Sequence, residues 1–415
     1  MISTPYKNLE QEYRDILLYD EQHRILAQLG LVILVYFHDG GSVAGQRKVL
    51  EVFDRFYMQY HAYLKSHFWH GMRRFAKLNP SAFAKKQQKV LAEAEQGEAL
   101  FGLLSSDESG DFSPEYAIST LTAQPNDESD NALSYLQINL PLSLLKNQKG
   151  RQEFEDWISY LCKQFTVFHG YAGLTVALPY DGHEYQFYEY STTKRYWGIT
   201  PDFRVFAENW KTGLKSVNWY TLVGKKLQGR LNQQEMENVL RHYPDITLQT
   251  HNDTMIFKAG SFPATGDRNK PLPIPYLTVN NLLRPARVEK PKDAMHTAYG
   301  NGKTRYSTSQ AYYWLRRWDN ANFEQGVFNP EGQKVELMPV YRQKPYEVPY
   351  SGMWIPDNVS EGIEQYFKQG EIFPNSGKYM WTLSDGTKKV SEALYVVWRL
   401  VKRDDGENVL VPSTF

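Results

Sequence analysis

An uninterrupted apolar run from Gly30 to Phe37 restricts the fold of this chain more than any other feature of the sequence. The run is too short to cross a bilayer, so it predicts a strand with both faces buried. His38-Asp39-Gly40-Gly41 ends the strand, and apolar residues then recur at helical spacing from Val49 to Tyr63. A strand, a glycine turn and a long helix in this order predict an α+β domain.

The chain up to Leu283 extends this pattern. A second amphipathic helix is predicted from Arg151 to Phe165, and Asn232 is predicted to cap another. The further predicted elements are strands from Tyr116 to Ala123, Leu133 to Leu140 and Tyr171 to Leu178, helical segments from Pro179 to Lys194 and Tyr220 to Leu231, a hairpin of Ile246 to Thr250 with Thr254 to Lys258, and an edge strand from Tyr276 to Leu283. The predicted fold class is α+β, with mixed or antiparallel sheets layered with helices.

Prolines are frequent from Gly260 to Lys292, and the mixed-charge segment from Arg284 to Lys292 within this stretch is predicted to be a linker. We place a domain boundary near Pro285 to Asp293 and predict an α+β domain over residues 1–288, with its core at about 30–283. Residues 289–415 form a small β-rich C-terminal module in this prediction. Its short strands are expected from Val335 to Tyr341, Gly352 to Ile355, Lys378 to Leu383 and Leu394 to Leu400.

Composition narrows the class of function. The chain carries 47 basic and 47 acidic residues, and a zero net charge argues against direct nucleic-acid binding. Its 29 tyrosines suggest surfaces that bind protein. The single cysteine, Cys162, excludes intramolecular disulfides and fits a reducing compartment. Since the N-terminal residues lack the apolar segment of a secretory signal, a cytoplasmic protein without a membrane segment is expected.

The sequence gives only weak evidence for metal-binding, phosphate-binding or acid–base clusters. His61, His67 and His70 lie close together in a segment expected to be helical, but zinc needs a further ligand, so packing is favoured. Gly300-Asn301-Gly302-Lys303-Thr304 ends like a phosphate loop, yet Thr297 stands where the first glycine belongs. Asp181, His183 and Glu184 fit an acid–base cluster or an exposed helix start equally well. We therefore predict no catalytic, cofactor-binding or metal-binding residues, and no enzymatic activity.

The segment from Lys194 to Gly229 holds three tryptophans spaced among charged residues. Its marked positions are Trp197, Gly198, Trp210, Asn218 and Trp219. A helix is expected from Phe203 to Leu214, and the indoles of Trp197 and Trp219 are expected to be buried in a rigid aromatic corner.

The order RYWGI, a helix, then KSVNWYTLVG in this segment resembles the bacterial immunity proteins that neutralise VRR-type nuclease effectors of type VI secretion. The resemblance covers about Gly30 to Leu283. It implies that the chain binds a cognate secreted effector toxin and covers its active site or its DNA-binding groove.

A second resemblance lies in the C-terminal part, from about Met338 to Arg403. The pattern consists of Gly352, Trp354, Gly370 and Pro374, followed by two further tryptophans. It resembles a small β-rich module found in type VI secretion neighbourhoods, and we expect it to fold independently and extend a binding surface.

Acidic residues accumulate where basic ones are missing, because no Lys or Arg occurs between Lys89 and Lys146. A stretch of one charge is usually a solvated face, unless the protein has a partner of opposite charge. A nuclease is such a partner, since it presents a positive surface to phosphates. The candidate partner-binding residues are Asp107, Glu108, Asp111, Phe112, Tyr116, Asp127, Glu128 and Asp130.

Two other classes of function stay open. The chain fits an enzyme that uses its histidine or carboxylate clusters, and it also fits a structural or adaptor protein of the secretion machine. The sequence leaves the identity of the toxin, the docking face and the oligomeric state undetermined.

Overall fold

The computed structural model describes residues 4–124, 133–180, 182–201, 210–289, 291, 294–296, 305–319, 336–339, 341–343, 347–359, 361–383, 385–406 and 410–413. The α-helices within these residues are α1 (Thr4–Asp15), α2 (Val43–Tyr60), α3 (Pro80–Glu95), α4 (Gln148–Gln164), α5 (Gln186–Arg195), α6 (Lys225–Gln228), α7 (Gln233–His242), α8 (Ile274–Leu283) and α9 (Thr308–Leu315).

The strands are more numerous and shorter. They are β1 (Leu18–Tyr19), β2 (Ile25–Phe37), β3 (Ser66–Trp69), β4 (Ala76–Lys77), β5 (Phe101–Ser105), β6 (Ala117–Leu121), β7 (Ser134–Leu140), β8 (Val167–Ala177), β9 (Ile199–Thr200), β10 (Tyr220–Val223), β11 (Ile246–His251), β12 (Thr254–Ala259), β13 (Glu336–Pro339), β14 (Tyr341–Gln343), β15 (Gly352–Pro356), β16 (Gln365–Phe367), β17 (Ser376–Thr382), β18 (Lys388–Leu394), β19 (Val397–Arg403) and β20 (Leu410–Ser413).

A 12-stranded sheet dominates the fold, in the order β11-β12-β10-β8-β2-β7-β6-β5-β3-β4, with β1 on β2 and β9 on β8. The pairs along this path are antiparallel, whereas β8 and β9 are parallel. Three smaller sheets pair β13 with β20, β17 with β18, and β14-β19-β15-β16. The predicted fold class, an α+β arrangement with separate small sheets near the C-terminus, is confirmed.

The predicted central strand is β2, which pairs with β7 on one side and β8 on the other. Each of its residues from Ala27 to Phe37 is buried, as the uninterrupted apolar run predicts. Helices α2 and α4 are also confirmed, and they pack on each other where Nε1 of Trp157 donates to the Tyr60 hydroxyl at 3.0 Å. Polar caps fix the starts of both helices, since Ser42 accepts from the Gly45 amide and Asn147 from the Gly150 amide.

The predicted hairpin and the cap at Asn232 are confirmed as well. Strands β11 and β12 pair up to His251 and Thr254, and Asn252 in the turn has a φ of 49°. Such a left-handed φ is one that asparagine tolerates better than most residues. The Asn232 side chain accepts a hydrogen bond from the Glu235 amide at 3.2 Å and starts α7.

The edge strand predicted from Tyr276 to Leu283 is wrong, because these residues form helix α8. The apolar run favoured a strand, but Tyr276, Leu277, Val279 and Leu282 are all buried. The polar residues Thr278 and Asn280 of this helix are buried as well, so it lacks the solvated polar face that marks an amphipathic helix. The adjacent Pro275 is compatible with the helix since it lies in the first turn, where no intrahelical N–H bond is lost.

Two further segments were predicted to be helical but contain strands. The residues around His67 form strand β3, which pairs with β4 and β5, and not a helix that places His67 and His70 on one face. Tyr220–Val223 is strand β10 between β8 and β12, and only the short helix α6 follows it. In both cases the local spacing of apolar residues is compatible with a helix or a strand, and strand pairing within the large sheet decides between them.

The chain divides into two compact units. The first unit comprises Met1–Asp181, Gly198–Thr265 and Thr278–Asp293, and it contains the 12-stranded sheet. The second unit comprises Gly182–Trp197, Gly266–Leu277 and Ala294–Phe415. The boundary that we predicted near Pro285 to Asp293 stays a prediction.

Two clusters stabilise the second unit. One is the core of the C-terminal sheets, made of Val348, Trp354, Phe373, Val396, Trp398 and Leu400. The other lies around helix α5, where Nε2 of His296 is 2.8 Å from a carboxylate oxygen of Glu189 and both side chains are buried. Because the Tyr306 amide donates to Nδ1 of His296 at 3.1 Å, the proton of a neutral His296 resides on Nε2 and is donated to Glu189.

Candidate partner-binding surface

The acidic stretch of the sequence contains a hydrogen-bonded loop that runs from Ser106 to Tyr116, called the 106–116 loop below. The Ser106 amide donates to the Tyr116 carbonyl at 2.8 Å, which closes the base of the loop. In the middle, the Asp107 carboxylate accepts from the Gly110 amide, and the Tyr180 amide donates to the Gly110 carbonyl at 3.0 Å. A loop held in this way loses little conformational entropy when a partner binds to it.

The far end of the loop is fixed to the large sheet. The Ser113 amide donates to the Ile25 carbonyl at 3.0 Å, and its hydroxyl donates to the Ala177 carbonyl at 2.7 Å. Next to it the Arg24 guanidinium lies 4.3 Å from the centre of the half-buried Phe112 ring. Phe112 is therefore covered by a residue of this chain on at least one side.

The loop separates its carboxylates into two groups. Asp107 faces inward and caps the turn, whereas Glu108, Asp111 and Glu115 are exposed. One basic side chain approaches them, since Nζ of Lys65 lies 3.5 Å from Glu108, and both of these side chains are mostly exposed. Such exposed pairs contribute little to stability, so the outer carboxylates are available to a partner.

Three tyrosines lie beside the loop and form a stack, Tyr60, Tyr116 and Tyr63. Tyr116 is 9% exposed and its ring is parallel to that of Tyr63, with the centroids 4.6 Å apart and the planes at 11°. On the inner side, the ring of Tyr60 lies 5.0 Å from Tyr116, and its hydroxyl donates to Glu153 at 2.6 Å. Burial, Tyr63, Glu115 and Glu153 raise the pKa of Tyr116 to about 12, so the phenol stays neutral beside these carboxylates.

The outermost ring of this tyrosine stack belongs to Tyr63, which the helical spacing placed in the same predicted helix as Tyr60. Helix α2 ends at Tyr60, and Tyr63 follows in a turn with 54% of its surface exposed. An open groove of about 610 Å³ between α2 and α4 adjoins the stack through Gln59 and Glu153. The signal that distinguishes Tyr63 from its helical neighbours is the end of the helix, which the apolar periodicity alone does not mark.

The remaining predicted residues divide between the two units. Asp127, Glu128 and Asp130 lie outside the described residues, and so does most of the helix predicted from Phe203 to Leu214. Trp197 belongs to the second unit, whereas Gly198, Trp210, Asn218 and Trp219 belong to the first. The predicted aromatic corner is therefore assigned to two different compact units.

The marked residues of the first unit lie in its interior. Trp219 is fully buried and stacks on Phe154, with ring centroids 5.8 Å apart. The amide nitrogen of the Asn218 side chain donates to the Thr200 hydroxyl at 2.7 Å, and its oxygen accepts from the Trp219 amide at 2.7 Å. Gly198 is needed for close approach, because a Cβ atom there would lie 2.0 Å from the Ala264 carbonyl oxygen.

Trp197 is 2% exposed, so the expected burial of both Trp197 and Trp219 is confirmed. Its indole meets that of Trp318 edge-on at 5.6 Å, and its Nε1 donates to the Lys194 carbonyl at 3.1 Å. The buried Arg317 donates to the Trp197 carbonyl at 2.8 Å. These contacts give Trp197 a packing role in the second unit.

The residues of the C-terminal motif also have structural roles within the small sheets. Gly352 begins β15 opposite β16 and β19, and Trp354 is fully buried in the core of the module. Gly370 lies in a turn with a φ of 87°, a conformation that favours glycine. The carbonyl of Pro374 accepts a hydrogen bond from Nε1 of Trp398 at 3.2 Å.

The side chains whose pKa is shifted do not form a reactive centre within the described residues. Burial raises the pKa of the Cys162 thiol to about 12, which leaves it without nucleophilic character at neutral pH. Burial lowers the pKa of His169 to about 3, so this imidazole is neutral. No group of three or more His, Cys, Asp or Glu side chains suited to a metal ion occurs among the residues that the structure describes.

The fold is shared with a solved protein of type VI secretion. The "Pseudomonas aeruginosa T6SS protein PA0821" is similar to this chain with a TM-score of 0.64 and 17% identity, over 76% of this chain and 91% of that one. At this identity the similarity shows the fold alone. No curated protein sequence matches the chain, and no helix among the described residues has the length and apolarity needed to span a membrane.

The family follows from the sequence itself. A family described as TsiV, type VI immunity for VRR-NUC, matches residues 48–318. The chain belongs to this family, so it is a type VI immunity protein. The 106–116 loop and the exposed Tyr63 both lie within the matched residues.

Proposed function

We propose that the protein neutralises a VRR-type nuclease effector by binding it directly through the 106–116 loop and the adjacent tyrosine stack. In this proposal the bound protein covers the DNA-binding groove or the active site of the nuclease. The observation that carries the proposal is the ordered loop itself, which holds exposed carboxylates beside the exposed ring of Tyr63.

The chemistry of the partner explains why these features belong together. A nuclease that binds duplex DNA exposes Lys and Arg to a dense line of phosphates. Carboxylates of Glu108 and Asp111 would attract that basic surface over a distance and accelerate association. Tyr63 would hold the finished complex, because a rigid aromatic ring contributes contact area at a low cost in conformational entropy. Phe112 and Tyr116 have supporting roles here, since Arg24 covers the one and Tyr63 the other.

Three broader properties of the protein follow from the same proposal: its mode of action, its binding partner and its compartment. The protein acts by binding and carries out no reaction of its own, consistent with a family described by immunity. It binds the effector and not the DNA, since its net charge is zero. It acts in the cytoplasm, where the DNA that a nuclease attacks is found, and its free thiol at Cys162 fits that reducing compartment.

Binding kinetics with the cognate VRR-type nuclease test the role of the loop. The variant Glu108→Gln/Asp111→Asn keeps the inward Asp107 cap and removes two exposed charges. We expect association at low salt to slow about threefold to tenfold and to depend less on salt, with dissociation unchanged. Glu95→Gln/Glu237→Gln is the matched control, because both residues are exposed on other helices. An association rate equal to that of the wild type at low salt would contradict the steering role.

The role of the tyrosine is tested separately by Tyr63→Ala. Dissociation should accelerate about 30-fold, as for a residue that contributes about 2 kcal/mol to binding, while association changes little. The same variant should inhibit DNA cleavage less at equal concentration. Tyr366→Ala, which removes a ring of similar exposure in the second unit, serves as the control. If Tyr63→Ala and Tyr366→Ala dissociate at the wild-type rate, the effector does not bind to the tyrosine stack.

A further inference from the structure

A cleft of about 200 Å³ lies between helix α1 and the part of the large sheet next to the 106–116 loop. Tyr6, Glu10 and Tyr13 of α1 line one part of it, and Glu115 and Asn139 line another. Its apolar walls come from residues such as Leu29 and Leu140. The cleft is large enough for one side chain and is continuous with the loop through Glu115.

The charged residues that line the cleft are acidic. Glu10 and Glu115 both line it, and neither forms an ion pair or a side-chain hydrogen bond with any residue in the described ranges. Burial and Glu10 raise the pKa of Tyr6, and burial, Tyr19 and Glu115 raise that of Tyr13 to about 12. The two phenols therefore stay neutral and leave the carboxylate charges uncompensated. A cationic group is the ligand that such a cleft favours.

A buried amide in the same cleft indicates that the ligand also brings an acceptor. Asn139 is only 6% exposed, and its side-chain oxygen accepts a hydrogen bond from Gln137 at 2.9 Å. Its side-chain NH2 group has no partner among the described residues, although Asn139 lines the cleft. This NH2 group can be reached from the cleft, so a ligand that supplies an oxygen atom there gains a hydrogen bond to an otherwise buried side chain.

We propose that this cleft binds one arginine or lysine residue of the effector, and the inference rests on the proposed function. The guanidinium or ammonium group would bind to Glu10 and Glu115, and a carbonyl oxygen of the same peptide segment would accept from Asn139. A bare metal ion supplies no such acceptor, and the two carboxylates fall short of the ligand set that a calcium ion takes. A basic residue in an exposed peptide segment supplies both groups.

The 106–116 loop and the cleft have separable effects on binding. Glu108 and Asp111 do not line the cleft and act mainly during the encounter. Glu115 is exposed on the same loop but lines the cleft with Glu10, so a charge pair formed there acts after docking and slows dissociation. We therefore expect the variant Glu10→Gln/Glu115→Gln to dissociate from the cognate nuclease at least tenfold faster than the wild type, with an association rate within about threefold of it. The isosteric glutamines preserve the packing of α1, and a thermal unfolding curve checks that they do.

A double-mutant cycle identifies the bound residue. Each exposed Arg and Lys of the effector is changed to Met in turn and measured against both forms of this protein. For one of them the effect should disappear in the Glu10→Gln/Glu115→Gln background, because the pair is already broken. Glu95→Gln/Glu237→Gln again serves as the control, since it removes the same charge elsewhere.

The outcomes separate this inference from the proposed function. If the wild-type protein fails to bind the nuclease at all, the proposed function is wrong and the cleft inference fails with it. If the wild type binds but Glu10→Gln/Glu115→Gln dissociates at the wild-type rate, only the cleft inference is wrong. If dissociation accelerates but each effector substitution remains additive, the cleft contacts no basic side chain and the inference is also overturned.

Discussion

His169 should make the first unit lose stability as the pH falls. This side chain lies on β8 and is 1% exposed, with Nε2 3.0 Å from the carbonyl oxygen of Trp210. Burial is the largest cause that lowers its pKa to about 3, Lys215 and His38 contribute in the same direction, and the hydrogen bond to the Trp210 carbonyl opposes them. The ring of Tyr36 covers another side at 4.6 Å, so a protonated imidazole would remain away from water.

The sign and size of the effect follow from linkage. The folded pKa of about 3 lies below the unfolded value of about 6.5, so the unfolded chain takes up the proton first. The stabilisation is therefore fully present above about pH 6.5 and is lost progressively as the pH falls towards 3. Each pH unit in that window costs about 1.4 kcal/mol, and between pH 7 and pH 5 the loss is about 2 kcal/mol.

Urea unfolding at pH 7 and pH 5 measures this contribution in the wild type and in His169→Gln. Glutamine retains a donor for the Trp210 carbonyl but does not titrate, so the difference in unfolding free energy between the two proteins should shrink by about 2 kcal/mol at pH 5. The exposed His242 provides a control, since His242→Gln should leave the pH profile close to that of the wild type. Parallel profiles for the wild type and His169→Gln would refute the reasoning.

Two further predictions concern buried residues. Trp197→Ala should lower the unfolding free energy by about 3–5 kcal/mol, because it removes a large side chain packed on Trp318, and a loss under 1 kcal/mol, as expected of the 42% exposed Trp381→Ala, would contradict that packing role. The Cys162 thiol, buried on α4, should react with a disulfide reagent only after denaturation, and modification of the native protein within the mixing time would show that the thiol is accessible.

Elements with a strong pattern could be predicted from the sequence, because their local signal and their tertiary surroundings agree. Strand β2 is apolar along its length and has neighbours on both sides, and α4 shows a clear amphipathic period that ends near Gln164. Helix α8 could not be predicted, since its buried circumference removes the polar face that marks a helix. Tyr220–Val223 was misassigned because its pairing with β8 and β12 depends on residues distant in sequence.

The candidate partner-binding surface could also be predicted only in part from the sequence. A run of acidic residues without Lys or Arg is visible in the sequence, and it directs attention to Glu108 and Asp111. Which of these carboxylates face outward depends on hydrogen bonds between the loop and distant parts of the chain: the Tyr180 amide donates to the Gly110 carbonyl, and Ser113 donates to the carbonyls of Ile25 and Ala177. No local sequence pattern records these bonds.

The cleft depends even more on tertiary structure, because Glu10, Glu115 and Asn139 come from a helix, a loop and a strand that the sequence keeps far apart. Glu115 connects the cleft to the 106–116 loop, so one peptide segment of a basic partner can contact both. Association would then report on Glu108 and Asp111, and dissociation on Glu10 and Tyr63. A charge pattern in the sequence can indicate the first set, whereas only the folded chain brings the second set to the same surface.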